Sequence, residues 1–437
     1  MGSGKTGADQ RKEKSRRAWG DNLILVLFIA VFSAVAVFRY LSDDYPNTAI
    51  SACYFISWRY GFIGRGFVGT LLEAFPYMSR DFIHKVCYFS EFLLTLVVLL
   101  WAYTLFSKCE RKDRVPVFAV SLIFLAAPFS PFFTYLWYNC GRLDVFLITI
   151  VFIQSALYIL RPRGFAFFII VLTALGMLIH TGHAFMYFSF SGVLLLCDAV
   201  SGGSSQGNED AHEKWTRFLP SVLNLLTCCI LFSCFHFVSF VDRSYTAESM
   251  VADMQSRTDA DLSIITENVD SWYFMDADEY VEFQKGFTEG RGTFLTRPEV
   301  LGPLLITLLL LLPVIAVVFT VWKNVLISAE TTPERLIYLI CSLSWLTLIP
   351  EFLLETDMGR YVAAGFMTQV LLILTLWISG NELIKSSLEK LRETVLEKRA
   401  LYLFFVFETI SLGYLRDVST LEISERIWSY MQRLVIR

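Results

Sequence analysis

The chain has 437 residues, of which 55% are hydrophobic and 18% charged, with a formal net charge of −4 and a mean hydropathy of +0.53. That balance is far from a soluble average and indicates an integral membrane protein. No basic run has the form of a nucleic-acid-binding patch, and the small net charge matters less than how charge divides between the two sides of a membrane.

A spanning helix needs about 20 mostly apolar residues. Apolar runs near 22–40, 86–107, 115–137, 145–160, 164–181, 184–199, 218–240, 300–322, 336–352 and 361–379 predict an all-α polytopic membrane protein with about ten spans. The runs are continuous and do not alternate, which argues for helices and against a β-barrel. Residues 1–20, "MGSGKTGADQRKEKSRRAWG", read as a basic cytoplasmic N-terminus. The long run after them has no small-residue cleavage site at its end, so 22–40 reads as a retained signal anchor. The basic stretches at 108–114 and 161–164 and the Lys214/Arg217 loop then fall on the cytoplasmic side with the N-terminus.

The first outside segment, 41–85, contains "LSDDYPNTAISACYFISWRYGFIGRGFVGTLLEAF". It is too polar for a comfortable span and too apolar for a free loop, which predicts an interfacial or re-entrant helix pair. Gly61, Gly64 and Gly66 would let the backbone turn or another chain come close. Arg59, Arg65, Arg80 and Lys85 stand here against the positive-inside tendency. Snorkelling to lipid head groups accounts for Arg80 and Lys85. For Arg59 and Arg65 phosphate binding stands equally beside it, because a guanidinium grips phosphate at two points.

Three further polar clusters fall on the same side: "YNCGRLD" with Arg142 and Asp144, "IHTGH" with His180 and His183, and "ETDMGRY" with Glu355, Asp357 and Arg360. Ionisable groups at span ends are costly unless paired, solvated or used. Their convergence predicts an outward-facing polar cavity, the alternative being salt bridges that lock helices together. Asp357 and Arg360 are spaced to pair on one helix. His180 and His183 are spaced as metal ligands would be. With no carboxylate or third histidine nearby, a divalent metal has only weak support and no cofactor is assigned; His180 reads better as a hydrogen-bonding partner of a substrate hydroxyl or phosphate.

The 201–215 stretch, "SGGSSQGNEDAHEKW", is a flexible linker by composition. The loop 241–299 lies outside and is acidic, so its "DAD" triplet at 276–278 reads as solvated surface before it reads as a metal-nucleotide motif. The domain plan is therefore a transmembrane unit over 21–380, including that loop, followed by amphipathic cytoplasmic or interfacial helices over 381–437. In the tail, Ile384, Leu388, Leu391 and Val395 form an apolar stripe, 401–415 is interfacial or re-entrant, and Ser419 with Glu422 suggests a capping box. Nine cysteines leave at least one unpaired; Cys53 and Cys140 would both face outside in this topology, which leaves a disulfide between them open but without support in the sequence. Motifs for ATP-driven transport, serine hydrolysis and zinc proteolysis are absent.

A first span, then "SDDYPN", then an interfacial segment resembles the polytopic C-type glycosyltransferases over residues 20 to 85. The "GFIGRG", "GRLD", H-x-x-H and "DMGR" set is similar to bacterial envelope membrane proteins of polysaccharide clusters, and the arginine-rich outer loops resemble O-antigen polymerases. The resemblance implies transfer from a polyprenyl-phosphate-linked sugar donor to a glycan or lipid acceptor, at the extracytoplasmic face of a bacterial plasma membrane, among membrane lipids and without nucleic acid. It implies Asp43 or Asp44 as catalytic base. Arg59, Arg65, Arg142 and Arg360 would stabilise the leaving phosphate, and Asp144 or Asp357 would orient those guanidiniums or bind sugar hydroxyls. Tyr45, Trp58, Tyr60 and Trp137 would stack on sugar faces. The chain departs from the best-known members in lacking a soluble C-terminal domain. The rival expectation is a flippase or transporter for a glycolipid or small anion. It would want charge at mid-membrane depth, where 86–240 offers only Glu91.

Overall fold

The computed structural model describes residues 48–126, 141–201, 211–238, 240–275, 298–354, 358–397 and 422–435, with isolated positions at 26, 29–30, 33–34 and 279. Most of the expected 22–40 anchor, the far half of 115–137 and the segment 401–415 lie outside the described residues. So do Asp43, Asp44, Tyr45, Trp137, Cys140, Asp276, Asp278, Glu355, Asp357 and Ser419.

In chain order, α1 (Thr48–Ala52), a 3-10 turn (Trp58–Tyr60), β1 (Gly61–Phe62) and α2 (Gly66–Leu72) lead into α3 (Arg80–Lys108) and α4 (Arg114–Ala126). Next come α5 (Asp144–Leu160), α6 (Phe165–Ile179), the single turn α7 (His183–Met186), α8 (Phe188–Ser201) and α9 (Ala211–Ser233), which runs into a π-type turn at Cys234–Val238. β2 (Phe240–Val241), α10 (Ala247–Gln255) and α11 (Thr266–Tyr273) follow. The chain continues through α12 (Pro298–Leu310), α13 (Leu312–Ser328), α14 (Thr332–Leu343), α15 (Ile349–Leu354), α16 (Met358–Ile378), α17 (Glu382–Glu397) and α18 (Glu422–Val435).

Among the described residues, four helical stretches are long and apolar enough to cross a membrane: Arg80–Lys108, Thr216–His236, Thr332–Phe352 and Arg360–Ile378. The expected spans at 145–160, 164–181 and 184–199 are helices of 17, 15 and 14 residues. At a rise of about 1.5 Å per residue they measure about 21–26 Å, short of a hydrocarbon core about 30 Å thick. The expected span at 300–322 is interrupted at Leu311, because Pro313 cannot continue the hydrogen-bond ladder and opens α13 instead.

Side-chain hydrogen bonds tie the helices together from within. The Trp101 indole donates to Ser155 at 3.0 Å, and Ser155 bonds Thr375 at 2.7 Å, joining α3, α5 and α16. Gln369 accepts from Trp322 at 2.8 Å and donates to Ser344 at 2.7 Å, joining α13 and α16 to the start of the 3-10 turn after α14. At the other end of the tail, α17 does more than lie on a surface. Ile384 is fully buried and the Ser387 hydroxyl donates to the Val321 carbonyl of α13 at 3.0 Å.

Residues 48–79 and 240–275 form one lobe. β1 pairs antiparallel with β2, Gly61 opposite Val241, and an added Cβ on Gly61 would lie 2.1 Å from the Phe240 carbonyl, so only glycine fits. The buried Tyr60 hydroxyl donates to Asp253 at 2.7 Å and accepts from Arg257 at 2.8 Å, while Arg257 also donates to the Phe55 carbonyl at 3.2 Å. Burial first, and then the hydrogen bond to Asp253, hold the Tyr60 phenol above its ordinary pKa, so it keeps the proton it donates.

Two glycines test how tightly this packing is drawn. A Cβ on Gly69 would lie 1.9 Å from the Ile56 carbonyl, whereas one on Gly192, inside α8, meets nothing nearer than 3.7 Å. Gly69→Ala is expected to lose about 1–3 kcal/mol or more, and Gly192→Ala to gain about 0.5–1 kcal/mol. Thermal unfolding of the solubilised protein checks both.

Candidate anion-binding site

The site is assembled where several helices end together. Gly141, with φ +85°, makes the turn into α5; its carbonyl accepts from the buried Tyr54 hydroxyl at 2.6 Å. That turn presents Arg142 and starts α5 at Asp144, whose carboxylate sits at a helix N-terminus where negative charge is favoured. Asp144 is almost fully buried. From the first turn of α16, Nη2 of Arg360 donates to both its oxygens, Oδ1 at 2.7 Å and Oδ2 at 2.9 Å. The fold thus gives Arg360 a partner 216 positions away. Asp357, the partner its spacing suggested, lies outside the described residues.

His180 caps the end of α6, and its Nδ1 accepts the Gly182 backbone N–H at 2.9 Å. A nitrogen that accepts carries no proton, so the neutral ring holds its proton on Nε2, as a donor. Arg65, Arg142, Asp144 and Arg360 all lie close enough to act electrostatically on His180, and the same four act on Cys53. Four of the residues singled out in the sequence, Arg65, Arg142, Asp144 and Arg360, are therefore within electrostatic reach of both His180 and Cys53.

Arg65 enters from α2. It sits between Gly64 and Gly66 with φ +65°, and its guanidinium lies 3.9 Å above the centre of the Trp272 ring. Among the described residues it has no carboxylate partner. Arg59 goes elsewhere: it lies 3.6 Å from Asp253 with its side chain 48% exposed, so its charge is spent in the lobe. Lys85 pairs with Asp81 on the surface of α3, and the Arg80 backbone N–H donates to Asp259. His183 is fully buried with its ring against Gly176, where an added Cβ would meet it at 2.8 Å; it takes no part in the cluster. Asp43, Asp44 and Asp357 lie outside the described residues.

Two neighbours of the site carried no functional reading in the sequence. Cys53, weighed there only for a disulfide, lies within electrostatic reach of the arginines. Glu351, on α15, has Oε1 3.6 Å from where a Cβ on Gly182 would stand, beside the His180 turn. An acid in the last turn of an apolar run is itself a signal, since its charge is costly there unless used.

Arg65, Arg142 and Arg360 thus lie within electrostatic reach of His180 and Cys53, with Asp144 bonded to Arg360 and Glu351 beside the His180 turn. Such an arrangement favours an anion that can accept several N–H donors at once. Among the described residues no three His, Cys, Asp or Glu side chains are grouped to hold a metal ion. No protein-family model, curated protein or solved structure matches this chain.

The Asp144–Arg360 pair makes a stability prediction. Removing one partner strands a buried charge, so Asp144→Leu is expected to destabilise by about 3–5 kcal/mol, while Asp144→Leu with Arg360→Met recovers most of it. Chemical or thermal unfolding of the solubilised variants reads the difference.

Proposed function

We propose that this chain is an integral membrane glycosyltransferase of about ten spans. In this reading it takes a polyprenyl-phosphate-linked sugar donor at the extracytoplasmic face of a plasma membrane and transfers the sugar to a glycan or lipid acceptor. The observation that carries the reading is the gathering of Arg65, Arg142 and Arg360 with Asp144 and His180. An apolar belt supports the membrane setting. On α3, Phe89, Phe92, Leu96, Leu100 and Tyr103 line one exposed face, and on α9 Leu219, Val222, Leu223, Leu226 and Ile230 do the same.

The chemistry follows from what each group can do. Asp43 or Asp44 takes the proton from an acceptor hydroxyl as its oxygen attacks the anomeric carbon, and the bond from that carbon to the phosphate oxygen breaks. Phosphate leaves without a general acid, so the demand is on stabilising its growing negative charge. Arg65, Arg142 and Arg360 meet that demand, with the Nε2–H of His180 as a neutral donor beside them. Asp144 orients Arg360 and keeps its guanidinium from swinging away.

A flippase or anion transporter is the second reading. Gln154, Thr173, Ser191 and Asn224 form a hydrogen-bonded chain through α5, α6, α8 and α9. These side chains are uncharged and bond one another, which suits interhelical ties better than a path for an anion.

Two experiments test the proposal. Asp43→Asn and Asp44→Asn are made singly and assayed for sugar transfer from a polyprenyl-linked donor; one is expected to lose about 100-fold or more while still inserting. Full activity in both moves the base elsewhere, with Glu351 the next residue to replace. For orientation, an impermeant thiol reagent applied from outside is expected to label a cysteine placed at Asp276 and to miss one at Ser204. The reverse pattern puts the arginine cluster in the cytoplasm and sinks an extracytoplasmic mechanism.

A further inference from the structure

The lobe outside the helices sends two aromatic side chains to Arg65. We propose that Trp272 and Tyr273 are positioning residues for the anion site, holding the Arg65 guanidinium where it meets the phosphate; the inference rests on the phosphate-binding reading of the cluster.

Arg65 stands in the left-handed backbone region at φ +65°, which a non-glycine residue adopts only when its surroundings hold it there. The surroundings are specific. The Tyr273 hydroxyl donates to the carbonyl of Gly64 at 2.8 Å, across 209 positions of sequence. A Cβ on Gly64 would meet Thr181, next to His180, at 3.1 Å, and one on Gly66 would meet the Trp58 indole at 2.5 Å. The backbone on both sides of Arg65 is therefore pinned, and the side chain is pinned separately by the face of Trp272 at 3.9 Å.

Stacking uses the flat face of a guanidinium and leaves its N–H edge for an anion in the same plane. Without the ring, a long arginine side chain has many rotamers, and ordering it on binding would reduce affinity. Trp272 and Tyr273 close α11, and that helix belongs to the lobe held to residues 48–79 by the β1–β2 pairing and the Tyr60–Asp253–Arg257 bonds. A segment far along the chain thereby sets the position of a cation in the site.

The test is a binding cycle on full-length protein in neutral detergent, with a polyprenyl monophosphate as probe and the unphosphorylated polyprenol as reference. Trp272→Leu is expected to weaken binding of the phosphate about five- to thirtyfold, the range of a partly to fully desolvated cation–π contact. Trp272→Phe keeps a ring face and stays within about threefold of wild type. Arg65→Ala weakens binding at least as much as Trp272→Leu, and adding Trp272→Leu to it changes affinity by less than about twofold, since the ring then has nothing left to hold. Unchanged affinity in Trp272→Leu, or losses that multiply in the double variant, overturns the positioning role while leaving the phosphate site standing. Wild-type protein that binds the monophosphate no better than the polyprenol overturns the site's phosphate reading, and this inference with it.

Discussion

The bond from Arg360 to Asp144 is the constraint on which the arrangement depends. It joins the first turn of α16 to the N-terminus of α5, both mostly buried, and so fixes where two helices of the bundle end relative to each other. Deeper in, Ser155 and Thr375 join the same two helices by a 2.7 Å hydrogen bond. Two ties at different depths fix both the separation and the register of α5 against α16. Arg142, two residues before Asp144, inherits its place from that registration. His180 faces the same charges from the end of α6.

Arg65 reaches the cluster by a different route, and the difference matters. The helices supply Asp144 and Arg360, but Arg65 stands on a glycine-flanked turn with an unfavourable backbone angle, whose position comes from the lobe. The lobe in turn depends on buried polar contacts centred on Tyr60, which gives and receives a hydrogen bond at once. Anything that loosens Tyr60, Asp253 or Arg257 therefore acts on Arg65 through the shared backbone, with no contact to the site itself.

Much of this was legible in the sequence because charge in an apolar chain is conspicuous. "GRLD", "IHTGH" and "DMGR" stand out against long apolar runs, and the cost of charge at span ends draws attention to Arg142, Asp144, His180 and Arg360. What was not legible depends on distance along the chain. Local spacing offered Asp357, which lies outside the described residues, to Arg360, whereas the bond to Asp144 has no periodicity pointing to it across 216 residues. Arg59 and Arg65 looked equivalent six residues apart; the fold separates them, because β1 between them turns the chain and leaves Arg59 beside Asp253. The Pro313 interruption was in the letters, yet hydropathy averaged over a window hides a single missing N–H.

A buried ion pair is an inefficient way to hold two helices, since desolvating both charges cancels most of what their attraction returns, and apolar side chains of similar size often do as well. The merit of the Asp144–Arg360 pair thus lies in geometry. A guanidinium that gives one nitrogen to a carboxylate still has further N–H donors, and its orientation is set by the bond already made. Among several cations brought together, repulsion would spread them apart unless a carboxylate held at least one in place. Asp144 engages Arg360 and an uncharged ring holds Arg65, so two of the cluster's cations are positioned by different means. On the proposed reading, the phosphate of the ligand is the anion that these positioned cations receive.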